Sequence, residues 1–347
     1  MSKVDYYKAE YHRTLRNLTK NPSVWKSFLS SAAYQYKYTF RDQIMIYAQR
    51  PTAIACAEYD VWSKNLGRWV KRGAQGIALL QFRGGKSTLR YVFDSRDTRN
   101  AENEELTIWS VAKEHEKAVI GALEERFGTL VNTDHLAEAL LSACANAVED
   151  NLTDYVSELV DSSENSFLDD LDEDNLRVRL RRTVRESVIF SVMTRLGYDV
   201  NEYLDSDAFE WVHEFNTPAC INILGSATSE ISELCLREIE RTVKLVEKNR
   251  TFDGKENRVY NKSEEKQEIK ENGGNENDKT HLQNGERRTD SESEIAEAEE
   301  LSPWEVRHDA SRLLGETPQG NVHDTSDGIS SGGTPLRNRT ESERADH

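Results

Sequence analysis

The sequence predicts an α+β fold in which N-terminal helices pack on a small antiparallel sheet, followed by an acidic all-helical region and a disordered C-terminal tail. Charge is the first of three observations behind this prediction. Residues 1–100 contain 18 Lys and Arg against 7 Asp and Glu, a net charge of +11, whereas residues 101–250 contain 14 against 32, a net charge of −18. The other two observations are a change from helical to strand-like hydrophobic spacing within residues 1–100, and a polar composition after residue 250. Together they divide the chain into domains at 1–100 and 101–250 and a tail at 251–347.

The first domain begins with helices. Apolar residues at helical spacing predict four of them, at residues 4–19, 23–33, 41–49 and about 58–66. Pro22 stands where it can open the second helix, since the first helical position needs no backbone donor. The third helix closes before Pro51, because a proline disfavours helical backbone in the residue that precedes it.

The pattern then changes to two strands, GRWVKRGAQGIALLQF and STLRYVFD, joined by a turn at residues 83–86. In the second strand we expect Leu89, Tyr91 and Phe93 to form the packed face of the sheet. The turn contains the triplet GKS, but Leu80 stands where a phosphate-binding loop needs a glycine, and strand-like residues follow. A hairpin turn is therefore predicted here.

Residues 101–250 predict a bundle of acidic helices. The longest of these runs from about Asp172 to Leu196 and ends before Gly197. Five arginines between Arg177 and Arg185 can either bind phosphate or form a solvated face whose charge is balanced by nearby carboxylates. An acidic run at residues 169–174 lies at the helix start, where the helix dipole favours negative charge, so the sequence favours the solvated face.

The tail, residues 251–347, contains only 18 hydrophobic residues out of 97. Such a segment cannot bury enough apolar surface to offset the roughly 1–2 kcal/mol per residue that backbone ordering costs. One exception is LSPWEVRHDASRLLGE, residues 301–316, which predicts a short helix, either transient or formed on meeting a partner.

Several classes of protein are excluded by the composition. No run of about 18 apolar residues indicates a membrane span, and the first residues lack the apolar core of a secretory signal. The four cysteines are widely spaced, which argues against a disulfide framework or a cysteine zinc site and favours a cytoplasmic protein. We find no catalytic constellation, and we expect neither an enzymatic activity nor a cofactor nor a bound metal.

The basic first domain also contains 16 of the 29 aromatic residues of the chain. Single-stranded nucleic acid is bound by cations that neutralise phosphates and by aromatic faces on which unpaired bases stack, at about 1–3 kcal/mol per base. Duplex DNA hides its base faces. The combination therefore predicts a sequence-tolerant binder of single strands.

The aromatic candidates are led by the alternating residues Tyr34, Tyr36 and Tyr38, which lie beside Lys37 and Arg41. Alternation would place the three rings on one face of an extended segment, where they either stack on bases or pack into the core. Trp69 is a further candidate, for which core burial is the alternative.

The cationic candidates follow along the chain. Arg68, Lys71 and Arg72 flank two glycines that let the backbone approach a phosphate, or else belong to a turn between strands with solvated cations. The remaining candidates for phosphate contact are Arg50, which follows the third helix and can instead cap it, and the hairpin residues Arg83, Lys86 and Arg90.

Ordered motifs within residues 20–95 resemble the N-terminal single-stranded-DNA-binding domain of ArdC-type antirestriction proteins. The residues that carry the resemblance are Gln49, Arg50, Pro51, Trp62, Gly67, Arg68, Val70, Gly73, Gly76 and Ile77. The segment from LGYDVNEYL to REIERTVK is similar to the helical region that follows this domain in large proteins of conjugative mobile elements. The resemblance implies single-stranded DNA as partner, together with the helicase and methyltransferase machinery of such an element.

The chain departs from the family in one respect. ArdC-type proteins often carry a metallopeptidase-like domain marked by HExxH, whereas His115-Glu116 and His213-Glu214 lack the second histidine. Peptidase activity is therefore not expected, and neither are helicase or methyltransferase activities, whose motifs are absent. The alternative function is a non-enzymatic docking or regulatory module for that machinery, with the helical region as its working surface.

Overall fold

The computed structural model describes residues 1–102 and 104–271, with side chains described up to residue 250. Three helices open the chain: α1 (Lys3–Leu18), α2 (Pro22–Ala32) and α3 (Phe40–Gln49). Each begins after a residue whose side chain accepts a hydrogen bond from the first turn, namely Ser2, Asn21 and Thr39. The bounds agree with the helices predicted from hydrophobic spacing.

Five strands follow: β1 (Cys56–Glu58), β2 (Trp69–Val70), β3 (Ile77–Arg83), β4 (Lys86–Asp94) and β5 (Thr98–Arg99). An antiparallel sheet has the spatial order β1-β4-β3, and β2 pairs with β5 in a separate ribbon. The predicted hairpin is present, with Gly84 and Gly85 at φ +58° and +75°, which glycine adopts without strain. The predicted first strand is interrupted between β2 and β3, and only a short π-helix (Val61–Asn65) forms within the predicted fourth helix.

The packed face of the sheet is the reverse of the one expected. Ile77, Leu79 and Val92 are buried and cluster with Met45 and Ile46 of α3. The register pairs Ile77 with Val92, so these side chains share one face, and Leu89, Tyr91 and Phe93 lie on the other. Both faces carry apolar residues, so alternation within one strand could not decide which of them meets the helices.

The rest of the described chain is helical. It comprises α4 (Glu116–Phe127), α5 (Leu136–Asn151), α6 (Thr153–Ser162), α7 (Glu173–Leu196) and α8 (Pro218–Glu271). Helix α7 ends at Gly197, which has φ +84°. The arginines of α7 pair with carboxylates; Arg182, for example, contacts Glu186, Asp207 and Glu210. The prediction of a charge-balanced face is confirmed, and so is the α+β fold.

The first hundred residues and the helical region share one hydrophobic core. It runs from Leu15 to Val243 without a break at residue 100. The Trp25 indole donates a hydrogen bond to the Ser187 hydroxyl of α7 at 2.9 Å, and the Thr19 hydroxyl donates to the Phe215 carbonyl at 2.7 Å. Residue 100 therefore separates two regions of opposite charge that share this core, while the smaller cluster around Ile77 and Met45 lies wholly within the first hundred residues. We refer to residues 1–100 as the head and to residues 101–250 as the body.

The last helix extends past the point at which composition predicts the tail. Helix α8 continues through Glu271, whereas the tail was predicted from Thr251. The remainder of the predicted tail, including the short helix at 301–316, lies outside the described residues. No helix within 1–102 and 104–271 is both long and apolar enough to cross a membrane.

Candidate nucleic-acid interface

Exposed aromatic rings are concentrated on the head. Tyr6, Tyr59, Trp69, Phe82 and Tyr91 each expose 41–55% of their surface. Two of them belong to the sheet face opposite Ile77, Leu79 and Val92. We call this face the outer face; by the register it carries Ala57, Ala78, Leu80, Phe82, Leu89, Tyr91 and Phe93.

The rings of the outer face lie at different heights on the sheet. Phe82 is near the hairpin tip, and Tyr91 lies three residues before the end of β4. At that end the Tyr59 ring meets the Phe93 ring edge-on, with centroids 6.4 Å apart. The outer face therefore offers separated aromatic surfaces and not a single closed cluster, which is the arrangement that successive unpaired bases require.

Two cations lie at the hairpin tip, beside the end of the outer face. By alternation along the strands they belong to the opposite face from Phe82. Arg83 and Lys86 stand opposite one another in the register, on either side of the two-glycine turn, and both are exposed. Phe82 precedes Arg83 directly, so a ring and two positive charges lie within one turn of chain. These two predicted residues are placed where a phosphate backbone can reach them.

The loop at residues 71–76 connects the ribbon to the outer face. Lys71 and Arg72 are exposed, and the Lys71 ammonium donates a hydrogen bond to the Arg96 carbonyl at 2.7 Å. Gly73 has φ +85°, which explains the glycine at this turn. Glycine is required at position 76 for a different reason, because a Cβ there would lie 3.2 Å from both the Phe93 ring and the Tyr91 Cβ.

Trp69 lies in β2, directly before this loop in the chain. Its ring is 51% exposed, and its cross-strand partner is the exposed residue Arg99. A residue pair directly opposite in an antiparallel ribbon shares one face, so the indole and the guanidinium are neighbours. Arg41, on the first turn of α3, is also exposed.

The tyrosine segment at residues 34–38 does not have the predicted geometry. Ala33–Gln35 forms a 3₁₀-helix, so the chain is not extended there. Tyr36 and Tyr38 are buried, and Tyr34 is half-buried. The Tyr38 hydroxyl donates to the Cys56 carbonyl at 2.8 Å, and burial raises the pKa of Tyr38. The interpretation of this segment as three rings stacking on bases is wrong for the buried pair.

Lys37 is likewise directed into the protein. It is 5% exposed, and its ammonium lies 2.7 Å from the Glu240 carboxylate of α8. The Tyr36 hydroxyl donates a hydrogen bond to the same carboxylate. A cation buried and paired in this way neutralises a carboxylate of the body and does not reach a phosphate outside.

Three predicted arginines stabilise the head from within. The Arg50 guanidinium pairs with Asp97, and Arg90 pairs with Asp42. Arg68 is buried and donates to the Thr98 hydroxyl at 2.9 Å and to the Glu104 carbonyl at 3.0 Å. Their roles follow from carboxylates and carbonyls that are distant in sequence, which is why the sequence alone did not reveal them.

Three of the rings that the structure exposes are not predicted from the sequence. Tyr59, Phe82 and Tyr91 were not among the candidates, because Tyr91 was assigned to the packed face and the other two were not considered. A usable signal was present for Phe82, which lies beside the glycine-rich hairpin turn, where few apolar neighbours are available to bury it. Among the described side chains, no group of three His, Cys, Asp or Glu residues is placed to hold a metal ion.

Comparisons with protein-family models, with curated proteins and with solved structures found no match to this chain.

Proposed function

We propose that the head binds single-stranded DNA across the outer face of its sheet, with little sequence preference. The observation that carries the proposal is the exposure of Phe82 and Tyr91 on one face of the sheet, together with the exposed cations Arg83 and Lys86 at the hairpin tip beside it. Rings supply stacking surfaces for unpaired bases, and the cations at the tip neutralise phosphates between them.

Charge distribution supports a polyanionic partner for the head in particular. The head has a net charge of +11 and the body −18. A strand that approaches the molecule is attracted to the head and repelled by the body, so the body limits binding elsewhere. The resemblance of residues 20–95 to the ArdC-type domain points to the same partner. We propose on that ground that the protein acts in a conjugative mobile element, together with its helicase and methyltransferase machinery and in antirestriction.

The test compares exposed rings on the two parts of the molecule. Binding of a labelled oligonucleotide, single-stranded or duplex, is measured by fluorescence anisotropy. Phe82→Ala and Tyr91→Ala should each weaken single-strand binding by about 1–3 kcal/mol, or about 5- to 150-fold, because each removes a stacking surface. The control is Phe167→Ala, which removes a 67% exposed ring from the body and should leave the affinity unchanged.

Two results would contradict the proposal. One is duplex binding as tight as single-strand binding, since a duplex offers no free base faces. The other is an equal loss of affinity in all three variants, because the outer face would then have no special part. Circular dichroism of each variant shows that the fold is retained.

A further inference from the structure

A cleft of about 490 Å³ opens between the head and the body. Its walls are the segment at residues 34–38, the start of β1, the chain at residues 106–110, and residues of α7 and α8. Phe82 and Tyr91 do not line it, so it lies apart from the exposed rings of the outer face, although it adjoins that face at Ala57. Its volume is within the range of small-molecule sites, roughly 300–1,000 Å³.

Glu240, one of the two carboxylates that line the cleft, already has protein partners. Glu240 lies 2.7 Å from the Lys37 ammonium and 2.9 Å from that of Lys244, and it accepts a hydrogen bond from the Tyr36 hydroxyl. Burial acts to raise the pKa of Glu240, but these partners outweigh it, and the pKa lies below its ordinary value. Glu240 is therefore ionised and already compensated. Glu247, the other carboxylate of the lining, is exposed to water.

The remaining cation of the cleft, Arg195, has no such compensation. It is 7% exposed, and its guanidinium stacks 3.9 Å from the centre of the Trp109 ring while donating to the Trp109 carbonyl at 2.9 Å. Within the described part of the chain, no carboxylate lies within ion-pair distance of it, and Glu240 attracts it only from further away. Burial lowers the pKa of Arg195. A buried charge without a counter-charge is costly, and an anion entering the cleft would supply one.

Aromatic surface surrounds this cation. The Tyr34 ring lies 5.8 Å from the Arg195 guanidinium on another side, and both Tyr34 and Trp109 are only partly buried. The Trp109 indole donates to the Tyr36 hydroxyl at 3.1 Å, which fixes its orientation. The cleft thus combines flat apolar walls with a planar guanidinium, whose fork of donors matches the oxygens of a phosphate.

We propose that this cleft binds a nucleoside monophosphate unit, with its phosphate on Arg195 and its base against the Tyr34 and Trp109 rings. The unit can come from a free nucleotide or from the phosphorylated end of a strand, since both present the same chemistry. The inference concerns a second site and does not rest on the proposed function of the outer face.

The first test uses the unaltered protein and three probes: deoxyadenosine monophosphate, deoxyadenosine and inorganic phosphate. Isothermal titration calorimetry should show saturable binding of the monophosphate with a Kd below about 1 mM, at least about tenfold tighter than either fragment. Nucleoside binding as tight as nucleotide binding would overturn the proposal, as would the absence of saturation. Neither result depends on a variant that might fail to fold.

The second test assigns the phosphate to Arg195. Arg195→Gln should abolish the preference for the monophosphate over the nucleoside, and Arg195→Lys should retain part of it, because the charge remains but the fork is lost. Arg241→Gln removes an exposed arginine of α8, 71% exposed at its side chain, and should retain the full preference. If Arg195→Lys and Arg241→Gln showed the same preference for the monophosphate over the nucleoside, the assignment of the phosphate to Arg195 would be wrong.

A competition experiment distinguishes the two sources of the nucleotide and separates this site from the outer face. It uses the Phe82→Ala/Tyr91→Ala double variant. Displacement of the monophosphate by a 5′-phosphorylated oligonucleotide, but not by the unphosphorylated one, identifies a strand end; displacement by neither identifies a free nucleotide. Unchanged nucleotide affinity in the double variant is expected, and its loss would place the nucleotide on the outer face and refute the cleft.

Discussion

Two aromatic surfaces of the head meet different surroundings. The surface at residues 34–40, which we call the seam, packs against α8, where Lys37 meets Glu240 and the Phe40 ring lies over Gly225. On the outer face Phe82 and Tyr91 remain exposed, with no described helix of the body among the main contacts of its strands. Both surfaces carry aromatic rings, and they differ in whether the body supplies a carboxylate and a space for a ring. We therefore expect changes at the seam to affect folding and changes at the outer face to affect binding.

The largest effect is expected from Glu240→Gln. The substitution leaves Lys37 buried without its counter-charge, and breaking a buried pair in this way costs about 3–5 kcal/mol. Urea denaturation measures the loss. Glu238→Gln on the same helix is the control, because its partner Arg241 is exposed and such a pair is worth at most about 1 kcal/mol. Equal effects of the two substitutions would show that the seam is not held by this pair.

The same pair predicts a pH dependence. The pKa of Glu240 is lower in the folded protein than its ordinary value of 4.5, so its contribution to stability is present above that value and is lost as pH falls through the folded pKa. The difference in stability between the unaltered protein and Glu240→Gln should be constant from about pH 7 to about pH 5 and shrink below about pH 4.5. A difference that does not change with pH would exclude this ionisation as its source.

Gly225→Ala should have the next largest effect on folding. A Cβ at this position of α8 would overlap the Phe40 ring, and overpacking of this kind costs about 1–3 kcal/mol. Gly121→Ala in α4 is the matched control, because a Cβ there meets nothing within 4 Å, and it should stabilise by about 0.5–1 kcal/mol. Thermal unfolding of the two variants should therefore shift in opposite directions.

The smallest effect is expected at the border of the outer face. Lys71→Ala/Arg72→Ala should leave stability unchanged, because both side chains are exposed. It should reduce the slope of log affinity against log salt for a single strand by about 0.7 per lost phosphate contact. The control removes two exposed cations of the body, Lys113→Ala/Lys117→Ala. A slope that changes equally in both variants would indicate a general charge effect.

The local features of the head could be read from the sequence. Pro22 marks the start of α2, and the paired glycines of the hairpin mark its turn. The charge-balanced arginine face of α7 was also predictable, because Arg182 and Glu186 are four residues apart in one helix. These groups lie within a few residues of one another, so spacing along the chain determines their geometry. The other partners of Arg182, Asp207 and Glu210, are distant in sequence and are brought to it by the tertiary structure.

The site could be predicted only in part. Arg83 and Lys86 are where the hairpin predicts them, whereas Lys37 and Arg68 were expected at the surface and are buried. The partner of Lys37 lies more than two hundred residues further along the chain, and that of Arg68 lies on another strand. Composition predicts that a lysine will be solvated, and it contains no information on a distant carboxylate that replaces the water.

The sequence by itself determined where α1, α2 and α3 begin and end and where the hairpin turns, and it determined the opposite charges of head and body, because these depend on neighbouring residues or on simple counts. Only the tertiary structure decided which tyrosines are buried. Helix α8 returns to the head and covers the seam, whereas Phe82 and Tyr91 on the outer face stay exposed within the described part of the chain. The physical reason is that burial depends on which surfaces are packed together, and the type of a side chain does not fix what packs against it.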